Sequence, residues 1–296
     1  MRTGPLGLRL LSAVLILSLS ACASYLPRRE GTALPGMATA EQAAKPSLLL
    51  PRETALNDGD LVIVTFSGGG MRAAVMAAHT IFWLRDQAKL EDKIDVISSV
   101  SGGSIVSSLY GLSRDNGDCV QGRYAWKDKP SKDCPDVFSL LTTDMESLWL
   151  QSFFRPDHIL SYWFADMTRS DLMALKLDDR FFAGARLKDF NPQRPMIVIN
   201  TSNFTDTGHS EHFTDGFTFT SADFKKLDSD VDQYPLAYAV MSSSAFPLVF
   251  HPVTVRNFKD AKAPYIHFAD GGNTDNLGLL AVERMFKNMQ KQPNRI

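Results

Sequence analysis

The 296-residue chain lacks the marks of several common protein classes. It has no basic excess: 31 Lys and Arg stand against 33 Asp and Glu, a net charge of −2, with no basic stripe. Nucleic-acid binding needs such a footprint to neutralise phosphates, so DNA and RNA are poor first partners. The longest glycine run, Gly68–Gly70, is not followed by Lys-Ser or Lys-Thr, which removes the P-loop nucleotide site. Leu10 to Leu19 is apolar but falls short of the roughly 20 residues that cross a bilayer. Cysteine is scarce, at three residues. Apolar residues are not scarce: at 44% hydrophobic and 22% charged, the chain can bury a core, and wholesale disorder is excluded.

The amino terminus reads as an address. Arg2 and Arg9 precede and open the apolar run, which ends in Leu19-Ser20-Ala21-Cys22. That ending resembles the bacterial lipobox, in which cleavage leaves a lipidated first residue, here Cys22. A plain secretory signal cut at a nearby small residue is the alternative. Ala23, where an Asp would imply inner-membrane retention, implies the outer membrane. A single acyl chain binds a membrane only marginally, so Cys22 would need several. Cleavage removes Arg2 and Arg9 and lowers the net charge from −2 to −4, so the attachment to membrane is expected from lipid and not from charge. Export also places Cys119 and Cys134 in an oxidising compartment. A disulfide across their 15-residue separation would contribute about 3 kcal/mol; two unpaired thiols are the alternative. No second ligand pair accompanies them at zinc spacing, and no metal is expected.

Residues 1–21 are thus expected to be a signal peptide, 22–55 a tether rich in Ala, Pro and Gly, and 56–296 one catalytic-type domain. Leu61 to Phe66 is a continuous apolar, β-branched run, the pattern of a strand buried on both faces. A helix is expected from Met71 to about Gln87, a second strand over Ile94–Val100, and a helix from there to about Leu112. Strand, helix, strand, helix with short connections predicts a parallel α/β sheet. Further strands are expected over Pro195–Asn200 and Tyr265–Ala269, a hairpin over His212–Thr220 around Asp215-Gly216, and a last helix from Leu277 to about Lys291.

Three segments carry chemistry. Ser101 stands at a strand-to-helix turn within Ser99-Val100-Ser101-Gly102-Gly103, a variant of the G-x-S-x-G nucleophile elbow with Ser99 at the first small position. It could equally be a helix N-cap. Ser67-Gly68-Gly69-Gly70-Met71-Arg72 offers free backbone N–H groups, fitting an oxyanion hole formed around Gly69 and Gly70. The dinucleotide reading fails, because Ser101 ends the second strand where an acidic residue is needed. Asp270, in Asp270-Gly271-Gly272, leaves a strand end and fits a general base, or else a simple turn aspartate. Asp275 precedes the last helix and fits its N-cap. No histidine follows Asp270, so a Ser-Asp-His order is absent; His251 or His267 would need an unusual one. His209 and His212 lack partners for a metal, and no cofactor is implied.

In this order and spacing, the glycine loop, the serine elbow and the Asp-Gly-Gly segment resemble the patatin-like phospholipases. Gly-Gly-Gly-x-Arg and Ser-Gly-Gly-Ser look especially like the related cytosolic phospholipases. The likeness runs from about Asp60 to the carboxyl terminus and includes Ser242-Ser243-Ser244-Ala245-Phe246-Pro247. It implies a three-layer α/β fold with a mostly parallel central sheet. It also implies Ser101 as nucleophile, Asp270 as base of a Ser–Asp dyad, and Gly68, Gly69 and Gly70 as oxyanion hole. Arg72 is then expected near a substrate phosphate, or in a surface ion pair. Phe153, Phe154, Tyr162, Trp163 and Phe164 would line an acyl site or fill the core. The substrate implied is a phospholipid or other ester lipid. An idle binding or scaffold lipoprotein that keeps the fold, and a peptidase with the same dyad, are the competing functions.

Overall fold

The computed structural model describes residues 48–52, 59–114, 118–129, 134–154, 167–205 and 216–291. The expected signal peptide, Cys22 and most of the expected tether lie outside them, as do Tyr162, Trp163, Phe164, His209 and His212. The strands are β1 (Val62–Phe66), β2 (Ile94–Val100), β3 (Met196–Asn203), β4 (Gly216–Thr218), β5 (Val253–Arg256) and β6 (Tyr265–Asp270). The helices, in chain order, are α1 (Gly70–Trp83), α2 (Gly102–Leu112), α3 (Val137–Leu141), α4 (Met145–Phe153), α5 (Arg169–Leu177), α6 (Ser221–Phe224), α7 (Leu236–Ser244), α8 (Gly272–Asp275) and α9 (Leu279–Gln290).

These strands form one mixed sheet in the order β1-β2-β3-β6-β5, with β4 also on β3. The pairs β1–β2 and β2–β3 are parallel; a crossover with one long helix joins β1 to β2, and a much longer segment holding α2 to α5 joins β2 to β3. β4 and β6 run antiparallel to β3, and β5 antiparallel to β6. The turn of the expected hairpin before β4 lies outside the described residues, and β5 was not expected from its short sequence pattern. Alternate side chains of the central strands feed two separate cores, because successive Cβ atoms point to opposite faces. Ile97, Ile197 and Ile199 join the large core under α1, α2 and α7. Val96 and Val198 meet Ala281 and Met285 of α9 on the other face. The result is three layers: helices, sheet, helices.

α2 is buried along its whole length, so it cannot be amphipathic; it is built from Gly, Ser and apolar residues. Two of its serines are hydrogen-bonded inside, Ser104 to Ser243 and Ser107 Oγ to Ser99 Oγ at 2.7 Å, while Ser108 Oγ is buried without a partner among the described residues. The bond to Ser99 explains why serine stands where the elbow pattern usually has glycine. Asp275 accepts the N–H groups of Leu277 and Leu280, at 2.9 and 2.6 Å, and so caps α9 from the preceding turn. Cys119 and Cys134 are joined in a disulfide, their Cα atoms 5.8 Å apart.

The domain begins earlier than expected. Leu49 is only 2% exposed, packed in the core beneath α9, and Asn288 donates to its carbonyl at 3.1 Å. Arg52 donates to the carbonyls of Pro192 and Arg194. Residues 48–52 are therefore packed on the domain, with Leu49 sharing the core of Val96 and Val198 of the sheet and Ala281 and Met285 of α9.

Candidate active site

Ser101 follows the last residue of β2 and immediately precedes α2. Its backbone has φ 51° and ψ −120°, a left-handed region in which a residue with a Cβ is strained. It makes no side-chain capping bond to α2. The side chain instead lies near enough to the Asp270 carboxylate to favour its ionised form, and both residues line one cavity. The elbow is sharp because it is wedged against the glycine loop. A Cβ on Gly102 would stand 2.0 Å from the Gly70 carbonyl oxygen, and one on Gly103 2.7 Å from that of Phe66. Only glycine allows backbones to approach so closely.

Asp270 reaches the serine by a route that the sequence does not show. β3 carries β2 along Met196–Asn200 and β6 along Thr201–Asn203. Val100 is therefore opposite Asn200 and Asp270 opposite Thr201, at consecutive positions of one strand. The acid arrives on an antiparallel strand and still ends beside the elbow. Gly272 N–H donates to Asp270 Oδ1 at 2.8 Å and holds the carboxylate. Burial pushes the carboxyl pKa above its ordinary 3.8, while the bond from Gly272 and the nearby Ser101 side chain pull it back.

The three glycines of the loop divide their work. Gly68 donates its N–H to the carbonyl of Asn276 at 3.1 Å, so it braces the loop and is not available to an oxyanion. This corrects the expectation that all three would donate. Gly69 and Gly70 have φ +140° and +63°, line the cavity described below, and open α1, which has no side-chain cap. Their N–H groups are among those a helix start leaves without intrahelical partners or just precedes. Arg72, the third residue of α1, is exposed and is not among the cavity's lining residues.

Ser243 was flagged in the sequence only as part of a small-residue segment. Its Oγ accepts the Ser101 N–H at 2.8 Å and donates to the Asn200 carbonyl at 2.6 Å. Its one proton being used, Ser104 must donate in the 3.1 Å bond between their hydroxyls. Gly271 N–H donates to the Ser243 carbonyl, so this residue ties elbow, β3 and acid turn together. Only three-dimensional contact reveals that role.

A cavity of about 980 Å³ opens above Ser101, Asp270, Gly69 and Gly70. Its sides are Met71, Ile105, Met145, Met173, Leu177 and Met241. Four of these are methionine, whose flexible thioethers fit irregular apolar guests. Of the aromatic residues expected to line an acyl site or fill the core, Phe154 is 65% exposed and does not line the cavity, while the Phe153 side chain, Tyr162, Trp163 and Phe164 lie outside what the structure describes. Neither His251 nor His267 lines it. His267 pairs with Thr254 Oγ1 at 2.9 Å, and burial holds its pKa below the ordinary value. Among the described residues no group of His, Cys, Asp and Glu could hold a metal ion.

A serine and a carboxylate lie at the ends of two strands of this α/β fold, beside a glycine-rich helix start and under an apolar cavity. The family model for patatin-like phospholipases matches residues 64–282, and the chain belongs to that family. The family's lipid acyl hydrolase activity accords with the cavity's apolar walls. The chain also aligns with the crystal structure of VipD from Legionella pneumophila, at 15% identity and a TM-score of 0.34. That alignment covers 88% of this chain and 52% of VipD, so the chain spans about half the length of that protein. Among curated proteins none matches the chain.

Proposed function

We propose that the protein is a serine acyl hydrolase that cleaves phospholipid or a related ester lipid with a Ser101–Asp270 dyad. The observation that carries this reading is that Ser101 and Asp270 come together in the lining of one apolar cavity with Gly69 and Gly70. Asp270 takes the Ser101 proton as Oγ attacks the ester carbonyl carbon. The N–H groups of Gly69 and Gly70 receive the developing oxyanion. Collapse breaks the bond to the alcohol, which leaves with the proton held by Asp270. Water, deprotonated by the same carboxylate, then attacks the acyl-enzyme and releases the fatty acid with Ser101 restored. The methionine-lined wall holds the acyl chain. Arg72 is the basic residue proposed to meet a substrate phosphate from outside the cavity.

The direct test is incubation with phosphatidylcholine vesicles and with soluble short-chain esters, alongside labelling by a fluorophosphonate. Fatty acid release is expected, with the label mapped to the peptide that contains Ser101. Inertness toward every ester, or a label on another serine, refutes the proposal.

The acid limb of the pH profile is a second test. A base must be ionised to accept the serine proton, so activity falls as pH drops through the Asp270 pKa. Because that pKa is raised, the limb is expected above pH 3.8, as a single ionisation that disappears in Asp270→Asn. The stability sign is opposite: protonation favours the folded state, and the penalty from this buried charge is present above the folded pKa.

The attachment proposed at Cys22, after cleavage of residues 1–21, would fix the enzyme to the bacterial outer membrane. Cys22→Ser is expected to move the protein from the membrane fraction to the soluble one; unchanged membrane recovery refutes the anchor.

A further inference from the structure

The mouth of the cavity is apolar and built rigidly. Phe246 to Phe250 forms a turn closed by the Phe250 N–H donating to the Phe246 carbonyl at 3.0 Å. Pro247 stiffens it. At its apex Leu248 has φ +74°, a conformation that a branched side chain rarely adopts, and is 91% exposed. Strain spent on holding a leucine in water has no packing explanation, and such outliers mark functional sites. Phe246 and Val249 are exposed on either side of it, and both line the cavity. Trp149 of α4 meets Phe250 edge-on, with ring centroids 5.6 Å apart, which fixes α4 beside the turn. Leu150, next along α4, is exposed and also lines the cavity. The exposed rim and the buried apolar wall are therefore one continuous surface.

We propose that this turn, with Leu150 beside it, is a wedge that enters the acyl layer of a lipid surface and sets the cavity mouth against it. The proposal rests on the reading of the site as a lipid acyl hydrolase and names how the substrate is reached. Three observations select a lipid surface as the occupant. The apolar rim runs without a break into the chamber that takes the acyl chain, so a substrate can pass from acyl layer to Ser101 without crossing water. From Gln233 to Val255 there is no Lys, Arg, Asp or Glu, so contact comes from apolar insertion and needs no anionic lipid. The chain between Cys22 and Leu48 reaches at most about 90 Å, so an anchored domain can turn its mouth to the membrane. The wedge is too small to anchor the protein; it orients a domain that is already held.

The test uses the full chain in vesicles of neutral phosphatidylcholine. An environment-sensitive fluorophore is placed at Leu248→Cys and, in a separate variant, at Lys287→Cys on α9, on the opposite face of the sheet. The label at 248 is expected to shift to the blue and be quenched by lipid-borne quenchers, equally at low and high salt, while the label at 287 remains in water. Leu248→Asp is the activity variant, because Asp tolerates positive φ better than most residues and should preserve the fold. It is expected to reduce turnover of vesicle lipid on the order of tenfold, with turnover of soluble short-chain ester unchanged. A label at 248 that stays in water while vesicle lipid is hydrolysed overturns the wedge. So does shielding of that label without vesicles that grows with protein concentration, which would make the face a contact between two copies. A wild-type protein inert toward all esters refutes the hydrolase reading, and the label at 248 still decides whether the rim enters lipid.

Discussion

Replacing Ser101 with alanine is expected to remove ester hydrolysis altogether, with kcat falling on the order of 10⁴-fold or more. Alanine keeps the backbone strain at φ 51° and the bond from the Ser101 N–H to Ser243, so the site should stay assembled without its nucleophile. Asp270→Asn is expected to cost a similar factor for a different reason. The amide oxygen can still accept from Gly272, but the side chain can no longer take a proton. The double variant should be little worse than either single one, since two groups acting on one proton transfer are not additive. Their melting temperatures should differ in direction. Asp270→Asn removes a buried charge whose pKa is raised by desolvation and should melt at the wild-type temperature or higher. Ser101→Ala should leave it nearly unchanged. Steady-state assays on a soluble ester and thermal melts of the same preparations check both. Substantial turnover by Ser101→Ala would refute the mechanism.

Gly102→Ala is expected to have the largest effect of any single added methyl group. Its Cβ would lie 2.0 Å from the Gly70 carbonyl oxygen and 2.7 Å from the carbonyl carbon. These are backbone atoms, so no side chain can swing aside, and the elbow and the oxyanion loop must separate. Destabilisation of about 3 kcal/mol is expected from such overpacking. Activity should fall further than stability implies, because shifting an oxyanion donor by about 1 Å costs on the order of 10²-fold. Gly70→Ala is the contrasting variant. No atom lies within 4 Å of its added Cβ, and the remaining cost is the left-handed backbone at φ +63°, about 1–2 kcal/mol. Chemical denaturation of both variants distinguishes steric overlap from backbone strain. A Gly102→Ala protein as stable as wild type would contradict the close approach of the two loops.

Much of the frame was legible because it is local. The apolar run before the glycine loop forms a strand as expected, but not one buried on both faces: β1 is at the sheet edge and only its Phe66 is fully buried. β1 and β2 fall within a residue of their expected limits. Two such strands joined by a helix must be parallel neighbours, so the glycine loop and the serine elbow had to meet. The route of Asp270 was not legible. The sequence placed it at a strand end, but strand direction depends on pairing with β3, more than sixty residues earlier in the chain. The division of labour among Gly68, Gly69 and Gly70 was hidden for the same reason, since Asn276 takes the Gly68 N–H from a distant turn. Phe154, expected in the acyl wall, faces outward, and methionines from four different helices form that wall instead.

The sequence by itself determined the candidates: a serine, an aspartate and a glycine run, each displayed at a strand-end turn. These follow from residue type and from hydrogen-bonding patterns that act within a few residues. Tertiary structure alone decided the assembly. It set a hydroxyl from one strand end against a carboxylate from another, assigned Ser243 to hold them, and left Leu248 strained and exposed at the cavity mouth. Those outcomes depend on strand register and on the close packing of backbones far apart in the chain, and no local pattern encodes either.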